Sequence, residues 1–300
     1  MPGVPTTGTG LLRDHADFRD LTLETPAVRE AIAKLRRRRG PRSTKPAQVD
    51  LREFLTSPPD LRGVQATAAS AAAGLVEYFQ RRTVGDVAAC SPRFLYYTAR
   101  RLAGTTGDNG AGLRSTLKAL VRFGCPPEKY FAFDAAARDS ALSDAPPDAF
   151  AFGFQREFAD LSYVRLDPPG RSGDEVLPTL KNCLAAGFAC VGGASIGAAA
   201  GEGGDIPYPT RHDSVAGATA FTVVGYDDAY RIRSTKGALL IRSTFGPQWG
   251  ARGFGYLPYR FVTDRLAYDF WTLLKPQWLA SGELEQIEAV GRRQEPGVSR

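Results

Sequence analysis

Apolar positions recur at helical spacing through the first half of the chain and fall in short unbroken runs through the second. Residues 24–39 predict a helix, with Thr25 as cap before Pro26 at its first position. Residues 66–80 predict a second, rich in alanine and free of proline, and its alanines and Gly74 suit close packing on both sides. Ser91 caps a third over 92–102. Leu113, Leu117, Leu120 and Val121 mark a fourth over 112–123, which Cys125-Pro126-Pro127 ends. Residues 134–148, rich in Ala, Asp and Pro, predict an irregular surface segment. After Leu161 the pattern changes: strands over 163–166, 189–194, 221–226 and 238–243, a helix over 174–186, and a Gly/Ala loop over 197–204. Helices first and strands second predict an α+β fold of two lobes, with a helical lobe over about 60–160 and a β-rich lobe over about 161–275. Together they form a domain over 49–280. Residues 1–48 read as a peripheral extension with a basic linker, and 281–300 as a polar tail.

Composition narrows the function classes. A hydrophobic content of 43% supports a sizeable core. Much of the net charge of +6 comes from one run, Lys34-Leu35-Arg36-Arg37-Arg38-Arg39-Gly40-Pro41-Arg42. That run has the charge to touch nucleic acid or acidic lipid, but no nucleic-acid-reading motif accompanies it, and a solvated helix end is the simpler account. The N-terminus lacks the charged and apolar regions of a secretory signal, and no apolar run approaches the ~18 residues of a membrane span. Cys90, Cys125, Cys183 and Cys190 have no metal-type spacing. An intracellular, reduced, cytoplasmic protein without metal or cofactor is the expectation.

The motifs near the C-terminus carry the most information. Ala218-Thr219-Ala220-Phe221-Thr222-Val223-Val224-Gly225-Tyr226 is followed by Arg242-Ser243-Thr244-Phe245-Gly246-Pro247-Gln248-Trp249-Gly250 and Gly253-Phe254-Gly255-Tyr256. This layout resembles the papain-like cysteine peptidases, whose strands read H-A-V-x-x-V-G-Y and R-N-S-W-G-x-x-W-G-x-x-G-Y. Asp17-Phe18-Arg19-Asp20, Val49-Asp50-Leu51-Arg52, Ser91-Pro92-Arg93-Phe94, Gly107-Asp108-Asn109-Gly110-Ala111 and Gly204-Asp205-Ile206-Pro207 are similar to further segments of the family's bacterial branch, in the same order. The resemblance covers roughly 15–275. It implies a helical left lobe with a central helix, a β-sheet or barrel right lobe and a cleft between them.

The resemblance also implies a catalytic set that this chain lacks. The family's Cys position falls on Thr67, its His on Thr219, its Asn on Ser243 and its oxyanion Gln on Leu61. There is no cysteine before Cys90, and the only histidines are His15 and His212. A threonine hydroxyl is a poor nucleophile without an adjacent base. The scaffold residues Gly225, Tyr226, Gly246, Trp249, Gly250, Gly253 and Pro258 match, and Phe245 stands where the family has a tryptophan.

Two functions remain open. One is a pseudopeptidase that binds a peptide, a peptide-like metabolite or a protein partner without cleaving it. The other is a cleft refitted for ligation, cyclisation or rearrangement, with Thr67, Thr219, Ser243 and His212 orienting a substrate. Candidate cleft residues are Gln65, Asn109, Gly110, Ala111, His212, Asp213, Ala218, Phe245 and Trp249. Gly110 and Ala111 lie where the family's substrate backbone adds as a strand. His212 with Asp213 and Arg211 is either a new acid–base cluster or a solvated loop. Asp227-Asp228 reads as a surface hairpin turn rather than a metal site. Cys183 and Cys190 read as core, Cys125 as buried or turn-lining, and Cys90 as a thiol that could be exposed.

Overall fold

The computed structural model describes residues 9–39, 45–61, 63–85, 87–133, 146–197, 200, 203–276 and 278. The polar tail 281–300, residues 134–145 of the expected surface segment and parts of the 40–46 linker and the 197–204 loop lie outside the described residues. So do the side chains of Arg36, Arg37, Arg38 and Arg39.

Four helices of the first half follow the expected pattern closely: α1 (Pro26–Arg39), α2 (Thr67–Val84), α3 (Pro92–Ala103) and α4 (Leu113–Phe123). The Ser91 hydroxyl accepts the Phe94 N–H at 3.1 Å to start α3, and Gly104 closes it in the left-handed conformation. α2 is the central element. Ala66, Ala69, Ala71, Ala72, Leu75 and Val76 are all 0% exposed, so the helix is buried on every side. Small side chains make that possible by letting two layers approach one axis. At Gly74 an added Cβ would stand 2.6 Å from an Arg242 guanidinium nitrogen, so this glycine admits the arginine to the helix flank. There Arg242 lies 3.6 Å from the buried Glu77 carboxylate, which also accepts the Thr56 N–H and hydroxyl.

Six strands of the second half and one from the first form a seven-stranded sheet. Its members are β2 (Gln48–Asp50), β4 (Ser162–Arg165), β5 (Cys190–Gly197), β6 (Val215–Ile232), β7 (Thr235–Arg242), β8 (Phe254–Pro258) and β9 (Ala267–Leu274), in the order β4-β9-β5-β6-β7-β8 with β2 also on β6. α5 (Gly173–Ala185) opens with a reciprocal Ser172–Glu175 capping box, and α6 (Arg260–Thr263) is a short turn of helix. β6 shifts register between Val223 and Gly225 and again between Asp227 and Arg231. Such irregularities bend a long strand so that it wraps the sheet. Asp227 and Asp228 therefore lie within β6 beside a bulge, and not in a hairpin turn. Asp228 accepts the Lys181 ammonium at 2.5 Å and the Tyr259 hydroxyl at 2.7 Å. Among the described residues no group of three or more metal-ligating side chains forms, and no helix is long and apolar enough to cross a membrane.

The N-terminal residues correct the expectation of a peripheral extension. β1 (Leu11–Leu12) pairs in parallel with β3 (Ala111–Gly112), and Leu11 and Val28 are 6% and 4% exposed. The segment 9–24 is built into the body. Cys90, read as a possible exposed thiol, is buried because the chain around it is zipped to 126–128.

Candidate functional site

The N-terminus of α2 meets the middle of β6 where the lobes join, and three threonine hydroxyls converge there. Thr67 is the first residue of α2, Thr219 lies on β6, and Thr244 follows β7. Thr67 Oγ1 is 2.6 Å from Thr244 Oγ1 and 3.1 Å from Thr219 Oγ1, and the last two are 3.1 Å apart. The Ala220 N–H donates to Thr67 Oγ1 at 2.8 Å, and the Ala220 carbonyl lies 3.1–3.3 Å from all three hydroxyls. All three residues are at most 1% exposed. Every hydroxyl has a partner inside the cluster, and none of those partners is a base. A nucleophilic hydroxyl needs a group to take its proton, so this arrangement is a closed hydrogen-bond knot and not an activated nucleophile. Thr67→Val leaves the Ala220 N–H buried without its acceptor. The expected cost is about 1–3 kcal/mol in urea unfolding, with Thr67→Ser close to neutral.

The sequence motifs pointed to Ser243, and the knot instead uses its neighbour Thr244. The Ser243 hydroxyl accepts the Phe245 N–H at 3.3 Å and serves the local turn. The set Thr67, Thr219, Ser243 and His212 is thus not brought together. His212 is exposed, receives an Arg211 N–H at 3.1 Å, and donates its own backbone N–H to Thr210. Asp213 accepts the Thr210 N–H at 2.7 Å in the same exposed turn, which holds its carboxyl below the usual range. This is the solvated-loop outcome. Leu61 is 1% exposed and offers no donor.

Residues 9–12 run through the cleft and touch both of its walls. Gly10 packs so tightly that an added Cβ would stand 2.3 Å from Gln65 Cβ, and its carbonyl accepts the Ala111 N–H at 3.1 Å. A Cβ on Gly110 would meet the Gly10 carbonyl oxygen at 2.0 Å. Across the cleft, Gly193 on β5 leaves room for Leu11, whose Cδ2 would lie 1.9 Å from a Cβ there, and Gly217 on β6 faces Thr9. Asp108 braces the helical wall, accepting the Gln65 N–H at 3.0 Å and the Tyr96 hydroxyl at 2.7 Å; Tyr96 in turn accepts the Gly110 N–H. Asn109 is exposed and donates to the Thr106 carbonyl. Ala218 pairs with Ser195 on β5, while Phe245 and Trp249 are buried against one another with ring centroids 5.3 Å apart.

Beyond the cleft the segment enters a group of acids and arginines. The Asp14 N–H donates to Asp269 at 2.8 Å, and the Asp14 carboxylate accepts the Arg114 N–H at 2.8 Å. Arg114 grips Asp20 through two nitrogens at 2.8 and 2.6 Å, and Arg165 binds Asp269 at 2.6 Å and Asp167 at 3.2 Å. Asp269 takes a φ of 55°, which turns its carboxylate into this group. Burial, and secondarily the Asp269 carboxylate, pushes Asp14 up to about 6; burial pushes Asp167 to about 6 and Asp269 upward as well. Apart from Asp20, which falls in the segment Asp17-Phe18-Arg19-Asp20, the sequence showed these residues only as scattered charges.

No family model matches the chain. A peptidase C1-like protein of Acanthamoeba polyphaga mimivirus is 24% identical over 238 residues, which is 75% of this chain and 73% of that protein. Among solved structures, xylellain, a cysteine protease from Xylella fastidiosa, superposes with a TM-score of 0.70 at 26% identity, covering 90% of this chain and 97% of that one. A procathepsin B from Trypanosoma congolense superposes at 0.60 with 14% identity, over 90% and 86% of the two chains. The chain has the α+β two-lobe papain-like fold, helical on one side and sheet on the other.

Proposed function

We propose that this protein is a papain-like pseudopeptidase, which binds an extended peptide segment in the inter-lobe cleft and does not hydrolyse it. The observation that supports this reading is the closed knot of Thr67, Thr219 and Thr244 at the head of a cleft that still accepts a strand. Thiol hydrolysis needs a thiolate, an imidazole and donors aimed at the developing oxyanion, and Leu61 and the threonines supply none of the first two. Strand addition needs only backbone groups and side-chain room, and Gly110, Ala111 and Gly193 keep both.

The segment already seated there indicates the ligand's chemistry. Glycine stands where the passage beside Gln65 is narrowest, and leucine enters the space left by Gly193. A peptide, a peptide-like metabolite or a segment of a protein partner with a small residue followed by a branched apolar one would compete with residues 9–12 for the same edge. No cofactor is needed for such binding.

The test is an assay of the purified chain against a degenerate peptide library, with and without a thiol alkylator. The expected result is no cleavage that alkylation abolishes. Alkylation-sensitive turnover would end the reading, since it would place a reactive thiol in the cleft.

A further inference from the structure

Two thiols lie together in the helical half, outside the cleft. Cys90 immediately precedes the Ser91 cap of α3, and Cys125 follows Gly124 at the end of α4. The segments that carry them are zipped as an antiparallel pair. The Ser91 N–H donates to the Pro126 carbonyl and the Glu128 N–H to the Ala89 carbonyl, each at 2.8 Å, which leaves Cys90 opposite Pro127. Opposed residues of this non-hydrogen-bonded kind have Cα atoms about 4.5 Å apart. Cys125 is two residues before Pro127, so it projects from the same side of the ribbon and is the diagonal neighbour of Cys90. The sulfurs reach toward each other's strand. Cys90 Sγ lies 3.8 Å from the Cys125 carbonyl, and Cys125 Sγ lies 3.7 Å from the Ser91 carbonyl. Nothing in the cleft uses either group.

We propose that Cys90 and Cys125 are a redox-modifiable pair that closes into an intramolecular disulfide when the chain meets a low-molecular-weight disulfide. The thiolate of one cysteine attacks the small disulfide, forming a mixed disulfide and releasing one small thiolate. The second cysteine gives up its proton and attacks the protein-side sulfur, forming the internal S–S bond and releasing the second small thiolate. The protein loses two hydrogens, and the small disulfide is reduced to two thiols.

Diagonal neighbours in such a ribbon have Cα atoms about 7–8 Å apart, just past the reach of a disulfide, so closure asks the ribbon to draw in as well as the side chains to rotate. Burial holds the Cys125 thiol well above its usual range, so exchange runs through opened states or before the lobe is packed. The bond closes a loop that contains α3, β3 and α4, and β3 is the edge on which residues 11 and 12 pair. Oxidation therefore stiffens one wall of the cleft. Cys183 and Cys190 serve as an internal contrast. They sit on α5 and β5, and burial pushes the Cys183 thiol to about 12.

The experiment refolds the full-length chain in buffers of graded reduced and oxidised glutathione, quenches with an alkylating agent, and maps the cysteines by mass spectrometry. Expected is a Cys90–Cys125 linkage lacking the label and lighter by two hydrogens, with Cys183 and Cys190 labelled. The oxidised form should unfold several degrees higher than the reduced one. In a Cys125→Ala chain Cys90 should form no internal linkage across the same series and should be found either labelled or carrying one glutathione. Four labelled cysteines throughout, or linkages dominated by Cys183 or Cys190, would overturn the assignment.

Discussion

Replacing Gly10 with valine expels the N-terminal strand from the cleft, and the Ala111 amide then exchanges its hydrogen roughly a hundredfold faster or more. Gly10 has a φ of 97°, and an added Cβ would stand 2.3 Å from Gln65 Cβ and 2.8 Å from the Gln65 carbonyl oxygen. A non-glycine residue in such a conformation costs about 1–3 kcal/mol, and forcing extra volume into a packed site costs a similar amount. Gln65 cannot retreat without cost, because Asp108 holds its N–H and Asp108 is itself held by Tyr96. About 3 kcal/mol or more shifts the docked-to-undocked ratio by two powers of ten. The Ala111 N–H is a direct reporter, since its acceptor is the Gly10 carbonyl. Gly85→Val is the control: Gly85 also has a φ of 97°, but a Cβ there meets nothing within 4 Å, so it carries the backbone strain without the collision. If Gly10→Val left Ala111 as protected as before, the fit of the strand at Gly10 would not be what holds it in place. With the cleft vacated, a labelled Thr-Gly-Leu-Leu peptide should bind the variant and not the parent chain.

The helices were legible because their signals are local. Ser91 before Pro92, the spacing of Leu113, Leu117 and Leu120, and the alanine run after Ala66 each fix an element within a few residues of themselves. The sheet was half legible. The apolar runs at 189–194 and 221–226 were visible, but β6 extends to Val215 on one side and Ile232 on the other, because partner strands recruit flanking residues of no particular propensity. β9 is buried along its whole length yet was not read as a strand, since Asp269 interrupts an otherwise apolar stretch. That aspartate is buried through its pairing with Arg165, a partner 104 positions away. The same limit applies to the cleft. Motif order placed Thr67 and Thr219 at the junction, but the choice between Ser243 and Thr244 depends on which side chain of the turn after β7 points inward. The seating of residues 9–12 depends on Gly110, Gly193 and Gly217 facing one channel, and no local pattern in the chain encodes that.

Raising the pH from about 4 to above 6 weakens the hold of the N-terminal segment, by about a hundredfold in its docking equilibrium. Asp14 moves with the segment. Docked, its carboxyl is pushed from 3.8 to about 6 by burial first and by Asp269 second, against the opposing pull of Arg114 and Arg165. Released into water it returns to its ordinary value. A group whose pKa is higher in the docked form binds a proton on docking, so docking is fully favoured below about 4 and loses that advantage as pH rises through about 6. Two units at about 1.4 kcal/mol each give roughly 3 kcal/mol. Asp167, pushed to about 6 by burial, belongs to the body, so its ionisation adds negative charge near Asp14 over the same range; burial pushes Asp269 upward as well. Arg13 is stacked over Tyr268 at 4.5 Å, a contact in which no carboxyl takes part, so the segment keeps a hold on the sheet as it loosens. The measurement is the protection factor of the Ala111 amide, which corrects for the intrinsic effect of pH on exchange, taken in a His15→Gln background to remove the neighbouring imidazole. Asp14→Asn keeps an acceptor for the Arg114 N–H and has no proton to gain, so it should hold the segment equally at pH 4 and pH 7. Release on acidification instead would mean that the carboxylate–arginine attractions outweigh the burial of three acids at one junction, and that the segment is latched by charge and not by its proton.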